Sequence, residues 1–166
     1  MPAADLPPLI RALLRPDAYS HPVDSVELRQ THISYVLLAG EHVYKIKKPV
    51  NFGFLNFSTL SRRRYYCRQE VVLNSRLCSD VYLGVVPIRE SGGRFAVGGP
   101  GAAVEYAVHM RRLPDERSSV LLLALRNAVL EIEHDAIGAS RMCAVDESFD
   151  IDGNGQHRPP DRKFTR

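Results

Sequence analysis

Lysines on one predicted strand and a glutamate on the next predicted helix are the residues of this sequence best suited to chemistry. Lys45, Lys47 and Lys48 lie in a segment rich in β-branched and aromatic residues. The two-residue period of a strand places Lys45 and Lys47 on one face, together with Val43. Glu70 falls within or beside the apolar stripe of the following helix, where a carboxylate needs a cationic partner. A strand lysine from the sheet beneath is the natural partner, and such a strand-to-helix ion pair can hold an ammonium group against phosphate oxygens.

Two alternatives to this interpretation remain open at the level of the sequence. Lysines on a solvated strand edge discourage aggregation, and Glu70 would then lie on the solvent side of its helix. Periodicity also does not decide whether Lys45 or Lys47 meets Glu70, because a change of strand register exchanges the two.

The elements that position these residues are predicted from hydrophobic periodicity and turn signals. The predicted helices cover residues 6–14, 58–77 and 116–137, and the predicted strands cover residues 32–39, 42–48, 82–88, 94–97 and 104–113. Residues 140–166 are polar, contain Pro and Gly, and are expected to be disordered. The order predicts an α+β fold, a mostly antiparallel sheet with one long helix packed on one face.

The composition limits the classes of protein to consider. The chain has 166 residues, 45% of them hydrophobic, and 22 Lys and Arg against 19 Asp and Glu give a net charge of +3. This composition is typical of a globular domain, and the charge is too balanced to indicate nucleic-acid binding. Three cysteines without ligand spacing indicate neither disulfides nor a zinc site. The longest apolar run is too short for a membrane span, so we expect a cytoplasmic protein.

Several motifs have weak functional signals. Residues 150–161 have the spacing of a calcium loop, but Pro159 obstructs the exiting helix and Asp161 replaces the usual glutamate. The arginines at 62–64 spread around their helix, which indicates a solvated helix start, and they do not match a nucleic-acid fingerprint. The glycine-rich residues 98–101 lack the lysine of a P-loop. His32, His42 and His109 have no ligand-spaced partners, so we expect packing or surface roles for them and no metal site.

The segments around the lysines and Glu70 resemble the bacterial aminoglycoside phosphotransferase-like family. Its members usually join a kinase-like front region to a C-terminal P-loop kinase domain. The most distinctive segment is KIKKPVNFGFLNFSTL at residues 45–60. Within a resemblance over about residues 25–137, the matching segments are 30–36, 43–60, 64–67, 70, 74–77, 82–88 and 104–114.

The resemblance implies the small N-terminal lobe of a kinase-like fold that binds ATP with Mg²⁺. In such a lobe a strand lysine contacts the phosphates and pairs with a helix glutamate. These roles fall to Lys45 and Glu70, with Lys47 as the alternative phosphate lysine. Val43 would pack against the adenine ring. The strand containing Tyr106 and Val108 would lead to the hinge, and its backbone groups would hydrogen-bond the adenine.

The resemblance also implies a division of the chain and a limit on its activity. Residues 1–24 would form a leading helix and linker, 25–114 the lobe, 115–137 the helix after the hinge, and 138–166 a divergent, disordered tail. The family's His-Gly-Asp catalytic loop and its P-loop do not occur in this sequence. We therefore expect a truncated phosphotransferase that binds nucleotide without transferring phosphate, with a separate chain as a potential partner. The alternatives are a non-catalytic interaction module and a nonfunctional gene fragment.

Overall fold

A six-stranded antiparallel sheet and one long helix dominate the computed structural model, which describes residues 6–76 and 78–113. A 3₁₀ turn at Pro16–Ala18 follows the first, short helix. The elements are α1 (Pro8–Ala12), β1 (Val26–Gln30), β2 (Ser34–Ala39), β3 (His42–Lys47), α2 (Leu60–Asn74), β4 (Tyr82–Ser91), β5 (Arg94–Val97) and β6 (Ala102–Arg111).

The sheet order is β1-β2-β3-β6-β4-β5, and every neighbouring pair is antiparallel. Strand β3 therefore lies inside the sheet, between β2 and β6. Lys45 pairs with Val36 on β2 and with Val108 on β6. Lys47, at the end of β3, pairs with Ser34. The lysines are thus not on a sheet edge, and the alternative of a solvated lysine edge is wrong.

Both faces of the sheet are covered. The N-terminal segment packs on one face, where Ile10 and Leu13 join a buried cluster with Tyr44 and Ile46 of β3. Helix α2 packs on the other face against β6 and β4, and Cys67 lies there in a smaller buried cluster. Since neighbours along a strand alternate between faces, Lys45 and Lys47 lie on the face that α2 covers.

The predicted α+β class, with a mostly antiparallel sheet and one long helix, is confirmed. The helix predicted at 58–77 begins later because Thr59 is its N-cap: the Thr59 hydroxyl accepts the N–H of Arg62 at 3.3 Å. The Ser58 hydroxyl does not cap the helix, since it donates to the Asn56 side-chain oxygen. Strand β1 was not predicted as a separate strand. The predicted helix at 116–137 and the tail lie outside the described residues.

The turn between β2 and β3 requires its glycine. Gly40 has a φ of 59°, in the left-handed region, and an added Cβ would lie 3.0 Å from the carbonyl oxygen of Pro22. The segment before β1 therefore runs directly against this turn. Within the described residues, no helix is both long enough and apolar enough to cross a membrane.

Candidate functional site

The buried face of α2 is mostly polar. Its buried residues are Arg63, Cys67, Glu70 and Asn74, which follow the spacing of one helix face. Two of these four side chains are charged, so each needs a partner from the sheet beneath. Ion pairs, in addition to apolar packing, therefore fix the position of this helix.

Glu70 forms ion pairs with both strand lysines. The Lys45 ammonium donates to Glu70 Oε1 at 2.7 Å, and the Lys47 ammonium donates to Oε2 at 2.8 Å. The side chains are 7%, 3% and 2% exposed for Lys45, Lys47 and Glu70. We call these three residues the triad. The sequence left open which lysine meets Glu70, and the structure brings both to it, one to each carboxylate oxygen.

The charges of the triad keep Glu70 ionised. Burial by itself would raise the pKa of Glu70, but the attraction of Lys45 and Lys47 and their hydrogen bonds outweigh burial and lower the pKa to about 2. One turn further along α2, the Asn74 side-chain amide donates to the backbone carbonyl of Glu70 at 2.8 Å. Glu70 is therefore ionised at neutral pH, and its carboxylate lies between two ammonium groups.

A second buried ion pair lies at the start of α2. Arg63 Nε donates to Glu105 Oε2 at 2.8 Å, and Arg63 Nη1 donates to the backbone carbonyls of Phe57 and Ser58. The other oxygen of Glu105 accepts the N–H of Tyr106 at 2.9 Å. Burial raises the pKa of Glu105 more than the Tyr106 N–H and Arg63 lower it. The sequence interpretation missed this pair, which connects the first turn of α2 to β6.

The other predicted nucleotide contacts, Val43, Tyr106 and Val108, lie on β3 and β6. Val43 is half-buried on the face of the triad and pairs with Met110 of β6. Val108 has sheet partners on both sides, Lys45 and Val85, so its backbone N–H and C=O face neighbouring strands. The Tyr106 N–H donates to Glu105, and the Cys67 thiol lies 3.8 Å from the Tyr106 carbonyl oxygen. The Tyr106 N–H and the backbone of Val108 are therefore engaged within the protein in this structure.

An open depression of about 610 Å³ lies beside the turn between β2 and β3. Gly40, His42, Leu83 and Arg111 are among its lining residues, whereas no member of the triad lines it. The depression is therefore separate from the triad.

Three histidines form a cluster on the sheet face opposite the triad. His109 Nε2 and His42 Nδ1 are 3.0 Å apart, and the ring centroids of His21 and His42 are 4.4 Å apart. The Tyr44 ring stacks on His109 at 4.8 Å, and its hydroxyl lies 3.0 Å from His21 Nε2. Packing or surface roles are predicted from the sequence for His42 and His109, and the two rings pack against each other and against Tyr44. Within residues 6–76 and 78–113, no group of three or more His, Cys, Asp or Glu side chains is arranged to hold a metal ion.

The histidine cluster predicts a loss of stability in mild acid. Burial, with the neighbouring His42 and His21, lowers the pKa of His109 to about 4 from an ordinary value of 6.5. The unfolded chain then binds a proton that the folded chain does not, between pH 6.5 and 4. We expect the free energy of unfolding to fall by about 1–2 kcal/mol between pH 7.5 and pH 5, because solvent screening of the partly exposed His109 ring reduces the effect of the full pKa shift. Urea unfolding at pH 7.5, 6 and 5 measures the change.

A His109→Gln variant should lose most of this pH dependence, while His32→Gln, at an exposed turn residue, should keep it. The raised pKa of Glu105 acts in the opposite direction, because folded Glu105 gains a proton as the pH falls. Glu70, with its lowered pKa, loses its contribution only below about pH 4.5. If wild type and His109→Gln had the same slope from pH 7.5 to 5, the assignment to His109 would be wrong.

Comparison with known proteins gives relatives for part of the chain. Over 101 residues the chain is 37% identical to uncharacterized proteins of Mycobacterium bovis and Mycobacterium tuberculosis, an alignment that covers 59% of this chain. The chain spans about a fifth of these relatives, since the alignment covers 19% of their length. No family model matches the chain, and no solved structure matches it.

Proposed function

We propose that this domain binds ATP through its phosphate groups, in the manner of the small lobe of a kinase-like phosphotransferase. The observation on which the proposal rests is the triad: two ammonium groups on one strand face, fixed by a carboxylate from the packed helix. Each ammonium has three N–H donors and gives one to Glu70 in this structure, so further donors remain for phosphate oxygens.

The position of α2 in the chain supports this proposal. The helix that provides Glu70 follows directly after the strand that provides both lysines, and β6 returns to pair beside that strand. This arrangement is what the resemblance to the aminoglycoside phosphotransferase-like family implies for its small lobe. The fold itself is compatible with many activities, so the charged residues are the stronger support.

The described residues suit phosphate better than magnesium. Mg²⁺ in nucleotide sites is held by one or two carboxylates together with phosphate oxygens. Both oxygens of Glu70 accept hydrogen bonds from lysines, and both oxygens of Glu105 accept hydrogen bonds from Arg63 and the Tyr106 N–H. Neither of these buried carboxylates is therefore free to hold the metal. The function proposed for this part of the chain is binding, without a transfer step.

Thermal unfolding of the purified chain with increasing ATP, with and without Mg²⁺, tests the proposal. A ligand that binds only the folded state stabilises it by about 2.7 kcal/mol at a concentration one hundred times its dissociation constant. We expect ATP to raise the Tm of wild type by several degrees and to have little effect on Lys45→Met, which keeps the aliphatic stem but lacks the ammonium.

The matched control is Lys48→Gln, which removes a charge next to the site. The Lys48 ammonium bonds Gln30 and lies over the Tyr35 ring instead of contacting Glu70. This variant should respond to ATP like wild type. A well-folded wild-type protein whose Tm does not change with ATP would contradict the proposed function, as would an unchanged response in Lys45→Met.

A further inference from the structure

The buried charges of the described residues do not balance. Lys45, Lys47 and Arg63 are buried cations, whereas Glu70 and Glu105 are the buried carboxylates. Arg63 and Glu105 neutralise each other, so the surplus positive charge belongs to the triad, where two ammonium groups share one carboxylate. A buried charge without a counter-ion is strongly unfavourable. The triad is therefore suited to an additional anion.

A buried hydroxyl on the same sheet face as Lys47 is a second, independent observation. Ser34 is the Cα partner of Lys47 in the β2–β3 pairing, so the two side chains share a sheet face. Ser34 is 0% exposed, and its side-chain oxygen has no hydrogen-bond partner among the described residues. The nearby Thr31 hydroxyl bonds the backbone N–H and carbonyl of Ser34 and leaves the Ser34 hydroxyl unpaired. An unpaired buried hydroxyl is unfavourable, and an anion oxygen would satisfy it.

The aromatic neighbour of Lys47 does not remove the surplus charge. The Lys47 ammonium lies 4.9 Å from the centroid of the Phe57 ring, in a cation–π contact. Such a contact stabilises a cation, but the ring carries no net charge. The Lys47 ammonium is therefore held in place on two sides, by Glu70 and by Phe57, while the charge of the triad stays positive.

We propose that Ser34, Lys47 and Lys45 form a subsite that binds a phosphate-type oxyanion without a divalent cation. This inference rests on the proposed function and adds to it a second lysine, a hydroxyl donor and independence from metal. In most nucleotide sites a metal ion neutralises part of the phosphate charge. In this domain the second ammonium supplies that positive charge, and the Ser34 hydroxyl donates a hydrogen bond to an oxygen of the same group.

Calorimetric titration of the full chain with inorganic tripolyphosphate in EDTA tests the subsite, alongside ATP with Mg²⁺. Wild type should bind tripolyphosphate in EDTA, and Ser34→Ala should bind it about tenfold more weakly or worse, because a hydrogen bond to a charged group is lost. The Tm of Ser34→Ala without ligand should be equal to or above that of wild type, since a buried unpaired hydroxyl is removed.

Two further variants separate the subsite from general attraction to a basic protein. Lys47→Gln and Lys48→Gln change the net charge equally, and we expect a loss of more than tenfold in the first and less than about twofold in the second. An equal loss in both would show unspecific attraction and overturn the inference. Should Lys47→Gln fail to fold, Ser34→Ala remains the decisive variant, and unchanged tripolyphosphate affinity in it would overturn the inference.

The two ligands distinguish failure of the inference from failure of the proposed function. If wild type binds ATP with Mg²⁺ but not tripolyphosphate in EDTA, the metal-independent subsite is wrong and nucleotide binding stands. If the folded wild-type protein binds neither ligand, both proposals are wrong.

Discussion

Replacement of Glu70 by alanine is expected to lower the free energy of unfolding by about 3–5 kcal/mol, the range for breaking a buried ion pair by removing one partner. The substitution leaves two ammonium groups, 7% and 3% exposed, without a carboxylate and close to each other. It also removes a side chain that is itself buried between sheet and helix. A decrease of this size is a large fraction of the stability of a typical domain.

Urea unfolding at pH 7.5 measures this effect, with Glu41→Ala as the control. Glu41 is exposed at the turn between β2 and β3, and its removal should change the stability by less than about 0.5 kcal/mol. Adding Lys47→Met to Glu70→Ala should restore part of the loss, because only one uncompensated ammonium remains. A loss below about 1 kcal/mol in Glu70→Ala would contradict the description of the triad as buried and mutually dependent.

Periodicity places the partners of the strand-to-helix pair in the right directions, although a solvated lysine edge fits the same pattern. The two-residue period of β3 places Lys45 and Lys47 on one face, and the helical period places Glu70 toward the sheet. Periodicity fixes directions but not distances, so it could not show that one carboxylate reaches both ammonium groups. That outcome depends on where the helix axis lies above the sheet.

Arg63 could have been identified by the same reasoning. It lies seven residues before Glu70, two helical turns away, and therefore shares its face. The three consecutive arginines at 62–64 were interpreted together as a solvated helix start, and the phase set by Glu70 was not applied to them. Once Glu70 is taken as buried, Arg63 is the arginine of the three that must also be buried.

Other features depend on contacts that local patterns do not encode. The histidine cluster forms because β6 pairs beside β3 and because the N-terminal segment brings His21 across the sheet. Strand β1 was not distinguished from β2 because the turn between them, residues 31–33, contains no glycine or proline. The Thr31 side chain organises that turn instead, by accepting the N–H groups of Ile33 and Ser34.

Replacement of Arg63 by methionine is expected to lower the free energy of unfolding by about 3–5 kcal/mol at pH 7.5. The variant leaves the Glu105 carboxylate buried without its cation and takes a donor away from the backbone carbonyls of Phe57 and Ser58. Arg62→Met is the matched control, since Arg62 is exposed on the same turn of α2, and it should change the stability by less than about 0.5 kcal/mol.

The loss of stability in Arg63→Met should depend on pH, and the protonation of the buried Glu105 carboxylate sets the direction of that dependence. Burial already raises the pKa of Glu105 in the folded protein, and removing the guanidinium raises it further. A carboxyl group whose folded pKa is raised gains stability as the pH falls through that pKa, because it then takes up a proton in the folded state. The difference between wild type and Arg63→Met should therefore shrink from pH 7.5 to pH 5, although the histidine cluster destabilises both proteins there. A difference that stays constant or grows toward pH 5 would mean that unpaired Glu105 is not the source of the instability.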